Sequence, residues 1–217
     1  MKTKTLQLIG CTALAVSLAL AAGCLSKRYD KSAVTGTALQ TTAEKINLGN
    51  AQLTLVLASL NNLVERPQAD LRPQFDQFSA ELNKLQSLAE DVNDKATDMQ
   101  AKGADYFKDW NQQLATINSE DVRTRSAKRA KAVEAQFIAI NGSYQEVKTS
   151  FKPFMSDLQD IKTALGNDLT SAGLDAIKRT VAQANKEAKP LRKDIAKLGD
   201  DFKALGVSMS PTTPATK

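Results

Sequence analysis

Apolar residues recur along most of this chain at alternating steps of three and four. The longest run is Phe75, Phe78, Leu82, Leu85, Ala89, Val92, Ala96, Met99, Gly103, Tyr106, Trp110, Gln113 and Ile117, broken only by Gly103 and Gln113. A second run, Ala130, Val133, Phe137, Ile140, Tyr144, Val147, Phe151, Phe154, Leu158, Ile161 and Leu165, has no exception. Neither has a third, from Leu174 through Ile177, Val181, Ala184, Ala188, Leu191, Ile195, Leu198 and Phe202 to Leu205. Such spacing keeps one narrow stripe turned toward a partner helix, as in a coiled-coil seam. An earlier, weaker run carries Leu39, Ile46, Leu53, Val56, Leu60 and Leu63. Leu55, Leu57 and Val64 widen its apolar face, which predicts a helix more deeply buried than the others. No stretch alternates apolar and polar residues over a useful strand length.

The breaks between the runs carry start and stop signals. Arg66-Pro67 and Arg72-Pro73 end one helix and begin the next, because proline is tolerated only in a first turn. Asn118-Ser119-Glu120-Asp121 supplies a cap and first-turn acids. Gly166-Asn167-Asp168 stops a third helix, and Thr170 or Ser171 caps a fourth. The pattern therefore predicts an all-α, elongated antiparallel helical bundle or coiled coil of about four helices, at 37–65, 73–117, 120–166 and 169–205. At ~1.5 Å per residue the middle two are about 65–70 Å long, and short connections make sequential helices antiparallel neighbours. Pro153 and Pro190 fall inside the third and fourth helices, where each removes a backbone hydrogen bond and bends its helix. Residues 24–36 read as a tether and 206–217 as a disordered tail.

Upstream, Met1-Lys2-Thr3-Lys4 precedes a mostly apolar stretch from Leu6 to Ala22, a positive segment followed by an apolar one of secretory length. It ends in Leu20-Ala21-Ala22-Gly23-Cys24, which resembles the lipobox of bacterial lipoproteins. That resemblance implies a signal peptide over 1–23, cleavage before Cys24, and a diacylglycerol on the Cys24 sulfur. Two or more acyl chains make a firm anchor where one is marginal. A rival box, Leu8-Ile9-Gly10-Cys11, would leave only a few apolar residues ahead of it. Leu25 follows Cys24 where the inner-membrane retention signal of enterobacterial lipoproteins has Asp. The expected address is the cell envelope, at the outer membrane and facing the periplasm.

The address changes the reading of the charge. The formal net charge is +5, of which Lys2 and Lys4 belong to the signal segment. A basic balance this small, on an exported chain, argues against a nucleic-acid partner. Cys11 leaves with the signal and Cys24 is acylated, so no disulfide is expected and the fold rests on packing.

Tyr106-Phe107-Lys108-Asp109-Trp110, with Leu114, Arg123, Ser126 and Arg129 downstream, and Phe151-Lys152-Pro153-Phe154 with Asp157, Leu165-Gly166-Asn167-Asp168-Leu169 and Ala176-Ile177, carry a family likeness. Over roughly 75–200 the chain resembles a family of uncharacterised bacterial proteins, classed only as a domain of unknown function and often exported or lipidated. The resemblance implies a helical, coiled-coil protein of the envelope and supplies no catalytic residue.

The chemistry on offer is sparse. There is no histidine, which removes the commonest general base and metal ligand and any Ser-His-Asp or Cys-His arrangement. No Gly-rich loop follows a strand, and the Glu-x-x-His pairs of di-iron bundles cannot be built. We expect no enzyme, no cofactor, no metal and no catalytic residue. Arg123, Arg125, Lys128, Arg129 and Lys131 form a basic cluster at the start of the third helix. It is either a contact for an anionic partner or a solvated face. A second basic stretch, Lys186, Lys189, Arg192, Lys193 and Lys197, has acids interleaved. Tyr106 and Trp110 fall on the seam, Phe107 just off it as the exposed member of a possible aromatic patch, and Gly103 either admits a close approach or leaves a gap.

Two functional readings follow. One is an envelope lipoprotein that scaffolds a protein partner or associates with itself, since a two-in-seven seam suits two or three facing helices. The other is a binding module for an apolar or anionic envelope ligand such as lipid, lipopolysaccharide or cell-wall polymer.

Overall fold

The computed structural model describes residues 22–211, with side chains from Asp30 onward. Most of the signal segment, Cys11 and the tail from 212 on lie outside the described residues. Four helices follow one another, α1 (Ala22–Glu65), α2 (Arg72–Leu114), α3 (Glu120–Asn167) and α4 (Ser171–Met209). α1 packs against α2 and α4, and α3 closes the ring by packing against α4 and, more sparsely, α2. The diagonal pairs do not meet among the described residues. The result is an up-down-up-down bundle in which α3, at 48 residues, is about 70 Å long.

The predicted stops and caps form. Pro73 sits in the first turn of α2. The Ser119 hydroxyl accepts from the Val122 N–H, with Glu120 and Asp121 in the first turn of α3. The Thr170 hydroxyl accepts from the Gly173 N–H at 3.2 Å. α3 and α4 run unbroken through Pro153 and Pro190, whose rings are exposed.

α2 ends at Leu114 and not at 117, so Ile117 of its apolar run lies in the connection to α3, and two further boundaries differ from the pattern. α1 starts at Ala22 and takes in the segment read as a tether. Thr35 is only 1% exposed, and Gly36 packs on Gly206 of α4 so closely that a Cβ on either would lie under 3 Å from the other's carbonyl oxygen. α4 runs on to Met209, which is buried, so the start of the segment read as a tail is helical.

One core fills the bundle from end to end, with Phe78, Phe154 and Phe202 fully enclosed among leucines from α1, α2 and α3. Each such side chain contributes about 1.5–3 kcal/mol by leaving water. α1 buries Leu39, Leu53, Val56, Leu60 and Leu63 against its two neighbours. It also leaves Val34, Leu48 and Leu55 about half exposed, a heptad-spaced apolar stripe on its outer side.

Polar clasps hold the helices in register. At the loop end, where 66–71 and 168–170 turn, Gln74 is buried and its amide donates to the Asn62 and Arg66 carbonyls at 3.1 Å each. Its oxygen accepts from the Gln68 N–H at 3.0 Å. Between α1 and α4, Asn61 and Asn185 exchange two amide hydrogen bonds, of 3.0 and 2.7 Å.

Candidate functional site

The opposite, hairpin end gathers the first turns of α1, the 115–119 turn and the last turn of α4. Lys31 pairs with Asp109 across α1 and α2. The Ser32 hydroxyl donates to the Met209 carbonyl at 2.7 Å, and Arg129 donates to the Ser208 carbonyl at 3.3 Å. The Cys24 backbone lies in the first turn of α1, so the basic cluster and Cys24 share this end.

All five members of the cluster are exposed. Arg125 pairs with Asp121 one turn back at 2.9 Å, both side chains well exposed. Arg123 donates to the Ile117 carbonyl at 3.1 Å. Arg125 alone of the five is in an ion pair among the described residues, so most of the positive charge there is uncompensated by a contacting acid. In the second basic stretch, Lys197 pairs with Asp201, whose carboxylate raises the Lys197 pKa.

The aromatic group beside this end is arranged differently from the seam's prediction. Phe107 is 3% exposed and belongs to the core, whereas Tyr106 and Trp110 are half-buried. The cause is Gly103: a Cβ there would lie 2.1 Å from the Phe137 ring, so the ring rests on the bare backbone. Phe137 then meets Phe107 edge-on, with centroids 5.4 Å apart, and the buried stripe steps from 103 to 107. Trp110 donates to the Ser126 hydroxyl at 3.2 Å. Burial raises the Tyr106 pKa.

A second feature is the kind of inter-helix cavity that a binding module would use, although the sequence singled out none of its lining as a site. Between α2 and α3 an apolar groove of about 700 Å³ opens into the bundle. Its walls are Leu85, Ala89 and Val92 on α2 and Val147, Phe151 and Met155 on α3; its floor is Ile46 of α1 with Ile195 and Leu198 of α4. Two polar bridges between α2 and α3 bound it. Lys148 donates to Asn93 Oδ1 at 2.6 Å, and Gln159 donates to Gln86 Oε1 at 2.9 Å. The eleven steps along α3 from Lys148 to Gln159 rise about 16 Å. Lys148 and Lys152 stand on the α3 rim, Glu90 and Asp94 on the α2 rim. Burial, with the Asp94 charge beside it, raises the Tyr144 pKa.

Among the described residues no three Cys, Asp or Glu side chains converge to hold a metal ion. No described helix is long and apolar enough to cross a membrane. Fold and surface together define an antiparallel four-helix bundle with a basic end and an apolar lateral groove. The chain belongs to the family described as "Protein of unknown function (DUF2959)", whose model matches residues 27–203. No curated protein and no solved structure matches it.

Proposed function

We propose that the chain is an envelope lipoprotein, anchored through Cys24 in the outer membrane and facing the periplasm. Its bundle stands on the bilayer as a rod and serves as a scaffold for a protein partner or for further copies of itself. The observation that carries this reading is the shared end of Cys24 and the basic cluster. An acylated Cys24 would bring Arg123, Arg125, Lys128, Arg129 and Lys131 to the headgroups, where each basic side chain near an anionic surface contributes about 1 kcal/mol. The Val34, Leu48 and Leu55 stripe supports the scaffold half of the reading.

The test is to grow cells with a clickable fatty acid, compare wild type with Cys24→Ala, and fractionate the membranes. Labelled, membrane-bound wild type beside an unlabelled variant is the expected result. An unlabelled, soluble wild type ends the lipoprotein reading. A second reading, a binding module for an apolar or anionic envelope ligand, is favoured by the groove between α2 and α3.

A further inference from the structure

We infer that the α2–α3 groove is a binding site for a single-chain amphiphile: one long alkyl chain ending in an anionic head. The inference deepens the binding-module reading and does not depend on the Cys24 anchor.

The alkyl chain follows from the lining. A cavity of about 700 Å³ lies within the ~300–1,000 Å³ range of small-molecule sites. Its walls are aliphatic or aromatic, and Met155 adds an unbranched, adaptable side chain of the kind that moulds to flexible apolar ligands. The single chain follows from the bridges. A helix is ~10–12 Å across with its side chains, and the Lys148–Asn93 and Gln159–Gln86 hydrogen bonds hold α2 to α3 at both ends of the slot. A partner helix cannot lie along the groove while those bonds stand. Three turns of slot are also far too little for a stable protein interface, which buries ~800 Å² on each side.

The anionic head follows from the rim. Lys148 and Lys152 are four residues apart, hence neighbours on one face of α3. Both are exposed, and neither is paired with a carboxylate among the described residues. On the other rim Glu90 already accepts from Gln86 at 3.3 Å, and Asp94 repels an anion. The head therefore lies toward α3, between two ammonium groups whose mutual repulsion it relieves. A fatty-acid carboxylate and a lysophospholipid phosphate share this chemistry.

The experiment uses the full chain carrying Cys24→Ala, so that no covalent acyl group competes, and dansyl-undecanoate as the fluorescent probe. Saturable binding at one probe per chain is expected. Palmitate displaces the probe if the carboxylate is the natural head, lysophosphatidylglycerol if the phosphate is, and hexadecanol displaces it at least tenfold less well than either. Lys152→Glu weakens the anionic competitors about tenfold and leaves hexadecanol unchanged. Ala89→Trp fills the slot and lowers probe affinity at least tenfold at unchanged helicity. Met155→Trp serves the same purpose should Ala89→Trp fail to fold. The inference is overturned by absence of saturable binding, by affinity indifferent to both tryptophans, or by a dimer that Ala89→Trp dissociates while no amphiphile binds.

Discussion

At Gly103 the fit of α2 on α3 depends on a missing methyl group. Alanine is the better helix former by about 1 kcal/mol, so an unhindered Gly→Ala change in a helix stabilises. Here the new Cβ would stand 2.1 Å from the Phe137 ring, and overpacking of this kind costs about 1–3 kcal/mol. The collision wins over propensity. Gly103→Ala should lower the thermal midpoint, and Gly103→Ala with Phe137→Leu should recover part of the loss. Gly142, on the same helix as Phe137, has nothing within 4 Å of where its Cβ would be. Gly142→Ala should therefore raise the midpoint. Thermal unfolding followed by circular dichroism decides all three, and a stabilised Gly103→Ala would mean that the ring moves aside freely. Both glycines interrupt helical sequence in the same way, and only tertiary packing distinguishes them.

Between elements, the reciprocal Asn61–Asn185 pair fixes how far α1 slides along α4, since its two hydrogen bonds form at one register only. Asn61→Ala leaves the partly buried Asn185 side-chain oxygen without its donor, while the Asn185 amide keeps its bond to the Val181 carbonyl at 3.0 Å, at a cost of about 1–3 kcal/mol. Replacing both asparagines with leucine removes the unmet group and should be close to neutral in urea denaturation. A double variant as unstable as the single one would show that the pair acts by more than hydrogen bonding. Helix count, order and most inner boundaries were legible because seams, prolines and caps are local signals: Ser119 and Thr170 cap where the pattern puts them, whereas the end of α2, which has no such stop, falls at Leu114 and not at 117. The start of α1 was not. Thr35 and Gly36 are small because α4 passes close by, and small polar residues before a helix have the composition of a linker. The displacement of Phe107 into the core was hidden for a similar reason, since it follows from where Phe137 rests. Ala89 and Val92 read as ordinary seam residues, and the groove they line arises from the sparse α2–α3 contact, a property of two helices rather than of either sequence. Of the candidate sites, the basic cluster was visible as a run of residues, while its company with the start of α1 required the topology.

On the scale of the molecule, α1 is tied to α2 by acids as well as by the core. Gln52 donates to Glu81 at 2.6 Å, and Lys45 to Asp91 at 2.9 Å. The Gln52 bond, with Lys84 beside it, lowers the Glu81 pKa, and Lys45 lowers that of Asp91. A carboxyl group whose pKa is depressed by folding stabilises the native state above its ordinary range and loses that contribution as pH falls through it. The urea midpoint should therefore hold steady near neutrality and drop below about pH 4.5. Glu81→Gln with Asp91→Asn should flatten that drop, and an equally steep drop in the double variant would assign acid sensitivity to other groups. The ring of contacts also has a consequence in time. One face of α1 is covered by its sequence neighbour α2, the other only by α4, where Ser32 meets Met209 across 177 positions. Closing so long a loop is slow relative to pairing adjacent helices. Until the last helix has been synthesised, the α4-facing side of α1 has no cover, so a chain cut short before Ser171 would leave it open to water and to other chains. Completion of the fold waits on α4, although α1, the helix that needs it, is made three elements earlier.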